Sequence, residues 1–91
     1  MRKDELIKAI ADSANLQNAE ASRALDAVVE IISDGLSKGD KVQIAGLGTF
    51  EARPRNAREG RNPQTGETIQ IAATTVPGFK AAKQLKDRVA G

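Results

Sequence analysis

Arginines cluster in the middle of the chain, where their spacing could hold negatively charged oxygen atoms. Residues 53–61 carry a single acid, Glu59, against the arginines Arg53, Arg55, Arg58 and Arg61. A guanidinium group can donate two parallel hydrogen bonds to the oxygens of a phosphate. A run of arginines is therefore well suited to bind a polyanion. The cluster therefore favours phosphate, and nucleic acid in particular, over the alternative of an edge strand that is kept soluble by its charges.

Two further features admit both a structural and a functional interpretation. Lys80, Lys83 and Lys86 recur every three residues on a predicted C-terminal helix, as either a solvated face or a second contact for phosphate. Pro63 lies in the turn-forming run Arg61–Gly66 and is either a turn residue or an apolar wedge at the tip of an arm. The residues alone leave both alternatives open.

The residue types that are missing exclude most catalytic and metal chemistry. The chain has no His and no Cys, so it cannot form a thiolate zinc site, a disulfide, a cysteine nucleophile or a Ser–His relay. Its acids are mostly scattered along helical faces between basic residues, as on a solvated helix surface. We therefore expect a protein that is not an enzyme and that needs no cofactor or metal.

Charge and hydropathy predict a cytoplasmic protein with a basic working surface. Residues 1–40 hold 5 basic and 8 acidic side chains, whereas residues 41–91 hold 9 basic and 4 acidic ones. No apolar signal region follows the N-terminus, and no run approaches the roughly 18 apolar residues of a membrane span. We expect a scaffold that presents a cationic surface to an anionic partner and does not enter membranes.

Hydrophobic spacing predicts two helices that support this surface. The first should cover residues 3–14, with Asn15 as its stop. The second should run from about Asn18 to Lys38 and end at Gly39. Its apolar stripe is broader than one short neighbouring helix can cover, which predicts burial against a partner subunit. The members of the stripe are Ala21, Ala24, Leu25, Val28, Val29, Ile31, Ile32 and Leu36.

Beyond residue 40 the pattern changes to the two-residue alternation of β-strands. Residues 41–45 and 49–53 alternate around the turn Gly46-Leu47-Gly48. The two glycines match no P-loop or dinucleotide-binding motif, so we assign them a structural role. Phe50 and Ala52 should point inward.

A more polar pair of strands follows and predicts an arm. Residues 53–61 and 68–72 should form a hairpin about 33 Å long at the strand rise, and its side chains are too polar for complete burial. We therefore expect this hairpin to project from the body. After it, Val76-Pro77-Gly78 should break the strand and open a short helix that ends near Val89.

Four motifs together resemble a known family, the bacterial histone-like DNA-binding proteins HU and integration host factor. They are Gly39-Asp40-Lys41-Val42, Gly46-Leu47-Gly48-Thr49-Phe50-Glu51, Arg61-Asn62-Pro63-Gln64-Thr65-Gly66-Glu67 and Val76-Pro77-Gly78-Phe79-Lys80-Ala81. Their order and spacing match over essentially the whole chain, and the Arg-Asn-Pro motif is the most specific of them. HU is the closer match, because the chain lacks the longer termini common in integration host factor subunits.

The resemblance implies an α+β fold in which two subunits form an intertwined dimer, either a homodimer or a heterodimer with a paralogous subunit. A single domain over residues 1–91 would then comprise four parts. These are a helical dimerisation base (1–40), a small antiparallel sheet (41–52 and 73–77), a β-arm (53–72) and a C-terminal helix (78–91). The dimer core would contain Leu25, Val28, Val29, Ile32, Leu36, Ile44, Leu47, Phe50 and Phe79.

By the same resemblance, two arms would embrace double-stranded DNA along its minor groove. Pro63 at each tip would insert between base pairs and kink the duplex, a mode carried over from the family. Phosphate and groove contacts would fall on Arg53, Arg55, Arg58, Arg61, Asn62 and Gln64. The flanking DNA would be held by Lys3, Lys80, Lys83 and Lys86.

The expected function is DNA binding without sequence specificity, with DNA bending and compaction of the bacterial nucleoid. Arm cations would displace condensed counterions, and bent, nicked or flexible DNA would be preferred because it is easier to deform. One alternative is sequence-specific bending of the integration host factor type. Another is a protein scaffold whose arm pairs by strand addition. RNA binding is disfavoured, since the arm has no aromatic residue to stack on unpaired bases.

Overall fold

The computed structural model describes all 91 residues and has an α+β architecture. In chain order the elements are α1 (Lys3–Ala14), α2 (Asn18–Ser37), β1 (Val42–Ile44), β2 (Gly48–Arg55), β3 (Arg58–Arg61), β4 (Thr68–Ile71), β5 (Thr74–Ala81) and α3 (Lys83–Ala90). Internal contacts divide the chain into two units, Met1–Asp34 and Gly35–Gly91. The expected subdivision of a single domain stays a prediction.

Helix α1 covers the predicted residues, and its ends show why. The backbone N–H of Arg2 donates to the carboxylate of Glu5 at 3.4 Å, and Asp4 and Glu5 place negative charge in the first turn. Asn15 takes the left-handed conformation, with φ 57°. This conformation closes the helix, as the sequence predicts.

Helix α2 begins at Asn18 and ends at Ser37, one residue before the predicted end. The backbone N–H of Gln17 donates to Glu20 Oε1 at 3.0 Å, which satisfies a donor in front of the first turn. Gly39, with φ 82°, turns the chain out of the helix. An ion pair of 2.7 Å between Lys3 Nζ and Asp26 Oδ1 joins α1 to α2.

The body of the second unit is a three-stranded antiparallel sheet in the order β1-β2-β5. Phe50 lies opposite both Val42 and Phe79, and Ala52 lies opposite Pro77. Directly opposed residues share a face, so these side chains form one apolar face, as expected for Phe50 and Ala52. The two phenylalanine rings pack in a tilted arrangement with centroids 4.9 Å apart.

The predicted start of the C-terminal helix at residue 78 is wrong. Strand β5 runs through Pro77 and Gly78 to Ala81, and α3 begins at Lys83. Pro77 is tolerated because β5 is an edge strand, where a proline can turn its missing N–H position away from the ladder. Gly78 is tolerated because the side chain of Arg53 fills the space above it.

The arm is a hairpin in two parts. Its proximal part continues β2 and β5 as far as the pair Arg55↔Thr74. Its distal part is a separate two-stranded sheet of β3 and β4. Residues 56–57 and 72–73 interrupt the ladder between the two parts, where the sequence predicted continuous strands. The arm itself is confirmed.

Apolar side chains remain largely uncovered in the single chain. The only fully buried hydrophobic residues are Ala11 and Ala21. On α2, Val28 and Val29 are 46% and 54% exposed, and Ile31 is 66% exposed. Among the predicted dimer-core residues, Leu47 and Phe79 are also exposed, and the others are half-buried, namely Leu25, Ile32, Leu36, Ile44 and Phe50. No large side chain is therefore fully buried, and a single chain has no closed hydrophobic core.

We expect Gly48→Ala to destabilise the fold strongly. Gly48 has φ +155°, and an added Cβ would clash with the Lys80 carbonyl oxygen and lie 2.7 Å from the Phe79 ring. Crowding and backbone strain together should lower the free energy of unfolding by about 2–4 kcal/mol and Tm by about 10–20 °C. Gly46→Ala is the control, since Gly46 also has positive φ (+85°) but open space around it. Equal melting temperatures for the two variants would contradict this assignment.

Candidate nucleic-acid interface

Arg53 is the one arm arginine that the body of the protein engages. Its Nη2 and Nε atoms donate to Glu51 Oε1 at 3.0 and 3.3 Å, and Lys41 Nζ lies 3.9 Å from Glu51 Oε2. The guanidinium lies against Gly78, which is directly opposite Glu51, and a Cβ at Gly78 would lie 2.6 Å from Arg53 Cζ. Arg53 is thus positioned at the base of the arm by its own strand and by β5.

The other three arginines are free to meet a ligand. Arg55, Arg58 and Arg61 are exposed, and no carboxylate lies within ion-pair distance of them. Arg58 and Arg61 lie three positions apart on β3. Because side chains alternate along a strand, these two arginines project from opposite faces of the arm. The arm therefore presents cations on both sides.

The tip of the arm is an ordered turn. The Asn62 carbonyl accepts from the Gly66 N–H at 2.8 Å, and the Asn62 N–H donates to the Glu67 carbonyl at 2.8 Å. Asn62 Oδ1 accepts from the Gln64 N–H at 2.9 Å, an Asx turn. These bonds surround Pro63, which is exposed at the turn. The sequence predicts this turn over Arg61–Gly66 but does not single out the Asn62 side chain as the group that closes it, although Asn before Pro is a recognised turn signal.

The four candidate lysines do not form a single patch on one helix. Lys80 lies on β5 opposite Thr49, whereas Lys83 and Lys86 lie on α3, so the predicted helical row of three is wrong. The row fails because β5 runs on past Gly78. Lys83 Nζ pairs with Asp87 at 3.4 Å on α3, and Lys3 pairs with Asp26. Such exposed pairs contribute roughly 0–1 kcal/mol and can exchange for another anion.

Two residues with a bearing on the arm were not singled out by the sequence. Glu51 neutralises part of the charge of Arg53, and their two-residue spacing on one strand is the signal that could have shown it. Gly60 lies between Ile69 and Ile71 on the distal arm, which only the register of β3 and β4 reveals.

None of the helices is long and apolar enough to span a bilayer.

Comparison with known proteins places the chain in a family. The family model described as "Bacterial DNA-binding protein" matches residues 1–90. The chain is 54% identical to DNA-binding protein HU 1 of Bacillus subtilis, over 100% of this chain and 99% of that protein. It is 57% identical to DNA-binding protein HU-beta of Pseudomonas aeruginosa, over 98% of this chain and 99% of that protein.

Solved structures agree with the sequence relatives. A cocrystal structure of Anabaena HU with DNA superposes with a TM-score of 0.95, at 47% identity, covering 99% of this chain and 98% of that one. The HU of Thermotoga maritima superposes with a TM-score of 0.69 at 32% identity, over 98% of both chains. The chain therefore belongs to the bacterial DNA-binding protein family and is an HU-type DNA-binding protein, which confirms that it is not an enzyme.

Proposed function

We propose that the protein binds double-stranded DNA without sequence specificity, bends it, and so compacts the nucleoid in the bacterial cytoplasm. The observation that carries this proposal is the set of three unpaired guanidinium groups on an exposed β-hairpin, Arg55, Arg58 and Arg61. The solved Anabaena HU complex with DNA, at a TM-score of 0.95, supports DNA as the ligand.

Affinity would come from the sugar–phosphate backbone. Guanidinium groups on both faces of the arm can reach the phosphates on the two sides of a groove, and each contact releases condensed counterions. Three further cations would also bind phosphates, each after releasing the carboxylate with which it is paired in the free protein. They are Arg53, Lys3 and Lys83. The remaining contacts would come from Asn62, Gln64, Lys80 and Lys86. Asn62 keeps its side-chain amide N–H groups for DNA, because only its oxygen is used by the turn.

Preference among DNAs would come from deformability. No Asn or Gln lies on a helix suited to enter a major groove, so reading of base edges is weak. Pro63 is exposed at the tip of the arm, and the hydrogen bonds of the turn are made by the residues around it. The proline ring can therefore insert between base pairs without breaking these bonds. DNA that is already nicked, bent or flexible needs less energy to accept such a kink.

The binding unit would be a dimer, with two arms. The exposed valines of α2 and the absence of a closed core support this, because a domain of this size needs more buried apolar surface to be stable. Residues 1–40 would form the base of a homodimer, with a paralogous partner as the alternative. Light scattering should give about twice the chain mass of 9.6 kDa; a monomer at micromolar concentration would exclude the two-armed clamp.

A gel-shift competition tests the proposed function against its alternatives. The protein should shift a labelled duplex at low salt, and unlabelled duplexes of equal length and unrelated sequence should compete within a few-fold of one another. A large preference for one sequence would favour specific bending of the integration host factor type. A scaffold that pairs by strand addition would leave the duplex unshifted.

A further inference from the structure

The proximal part of the arm, residues 52–55 of β2 and 74–77 of β5, has two edges that no other strand covers. β1 pairs with β2 only between Gly48 and Phe50, so the edge of β2 beyond residue 50 is uncovered. β5 lies at the end of the strand order β1-β2-β5, so its outer edge is also uncovered. Uncovered edges present N–H and C=O groups with which a strand of another chain can pair. The proximal arm therefore has two candidate surfaces for strand addition.

The sequence of the returning arm strand favours such pairing. Residues 68–79 contain no charged side chain and are rich in the β-branched residues Thr, Ile and Val. Segments with high β propensity and low charge readily pair with copies of themselves. Charged side chains on an edge strand oppose this pairing, but the arginines of the arm lie on the other strand of the hairpin. The edge of β5 therefore needs another form of protection.

Backbone hydrogen bonds show which groups point out of the proximal arm. The Ala82 N–H donates to the Leu47 carbonyl at 3.0 Å, so these two residues form a hydrogen-bonded pair at the end of the β2–β5 ladder. Hydrogen-bonded and non-hydrogen-bonded pairs alternate along an antiparallel ladder. Two pairs of the proximal arm are therefore non-hydrogen-bonded, and the backbone groups of their residues point outward. They are Ala52↔Pro77 and Pro54↔Thr75.

Each uncovered edge thus has a proline at an outward-pointing position. Pro54 and Pro77 are both exposed, and neither has a backbone N–H to donate. Within the proximal arm this leaves one outward N–H on each edge, that of Ala52 on β2 and that of Thr75 on β5. An added antiparallel strand needs a donor at every second residue of the edge. It would find one donor and then a proline ring in the place of the next.

The break between the two parts of the arm limits strand addition further. The Asn62 N–H donates to the Glu67 carbonyl at 2.8 Å, which makes Thr68 and Gln70 the outward-pointing residues of β4. On β5 the outward row instead begins at Thr75. The row therefore changes from even to odd positions at the break. A regular strand cannot pair with both parts of the edge in one register.

We propose that Pro54 and Pro77 prevent the arms of separate molecules from pairing edge to edge. The strand that they exclude is the arm of a second copy of the chain, because residues 68–76 supply an uncharged strand suited to this edge. The two prolines keep the exposed arm unpaired without the use of charge on β5. This role belongs to the free protein and goes beyond the proposed binding of DNA.

Replacing both prolines with threonine tests this role in the free protein. The variant Pro54→Thr/Pro77→Thr restores an outward N–H on each edge and adds side chains that favour strands. At about 100 µM protein, light scattering should give a mass at least about twice that of the wild type. The mass should rise further in about 1 M NaCl, because a Debye length of about 3 Å screens the repulsion between arm arginines. Dilution should restore the wild-type mass, which distinguishes edge pairing from aggregation of unfolded chains.

Single variants and a third proline provide the controls, with folding verified by circular dichroism. Pro54→Thr and Pro77→Thr each open one edge and should associate more weakly than the double variant, and they decide the test if the double variant does not fold. Pro63→Thr changes the turn, away from both edges, and should keep the wild-type mass. If the folded edge variants all keep the wild-type mass, or if Pro63→Thr associates as strongly as they do, the proposal is wrong. Pairing at an opened edge depends on concentration, so it should not occur at the nanomolar concentrations at which DNA bending is measured.

Discussion

Raising the salt concentration from 50 to 200 mM is expected to weaken binding to duplex DNA by about 10³–10⁵-fold. This range corresponds to about 6–10 phosphates neutralised by a dimer. The structure supports such a number because three arginines of each arm are exposed and make no ion pair, while Arg53, Lys3 and Lys83 can exchange carboxylates for phosphates. Fluorescence anisotropy with one labelled duplex, at several NaCl concentrations, measures the dependence.

The control for the salt experiment is the fold of the free protein. Circular dichroism between 50 and 200 mM NaCl should not change, since exposed ion pairs contribute roughly 0–1 kcal/mol each. With the fold constant, the slope of log affinity against log salt counts the phosphate contacts, at about 0.9 per contact. A slope near zero would show that the interface is not electrostatic.

Replacing Pro63 with alanine is expected to reduce DNA bending on an intact duplex. Opening a base step requires a few kcal/mol, and the inserted ring stabilises the opened step. Without it, affinity for the intact duplex should fall about ten-fold or more, equivalent to about 1.4 kcal/mol. On a duplex of the same sequence with a nick, the loss should be smaller because stacking is already interrupted. Energy transfer between dyes at the two DNA ends reports the bend.

Pro54→Ala is the matched control for the Pro63 variant. Pro54 lies on β2 opposite Thr75, at the base of the arm and away from its tip. Both changes relax the unfolded chain to a similar degree, by up to about 1 kcal/mol. We expect only the change at the tip to alter the bend on intact DNA. If wild type and Pro63→Ala bind and bend both duplexes equally, the proline is a turn residue and not a wedge.

The helices and the arm could be predicted from the sequence because their signals are local. The apolar stripes of α1 and α2 and the acids of their first turns predict both elements, and Asn15 ends α1 as expected. The C-terminal helix was misplaced because Pro77 and Gly78 usually end a strand. Here the edge position of β5 accommodates Pro77, and the Arg53 side chain accommodates Gly78. Both features depend on β2, which is distant in sequence from Pro77 and Gly78 and therefore gives no local signal there.

The candidate site was predictable in composition but less so in arrangement. The run of arginines and the turn around Pro63 are visible in the sequence, and the structure places them on one hairpin. That Glu51 holds Arg53, and that Lys83 pairs with Asp87, depends on side-chain placement. The break of the arm at residues 56–57 and 72–73 has no breaker residue such as Gly or Pro to announce it.

The central claim is that guanidinium groups on the arm, and not the overall charge of the protein, hold the DNA backbone. The most direct test compares two triple variants that remove the same charge. One changes Arg55, Arg58 and Arg61 to Gln, and the other changes Lys8, Arg23 and Arg88 to Gln. For a dimer, the arm variant should reduce the slope of log affinity against log salt concentration by about 5, and its affinity for DNA should fall at least about 100-fold. The control variant should change the slope and the affinity only slightly. Equal losses in the two variants would contradict the role of the arm.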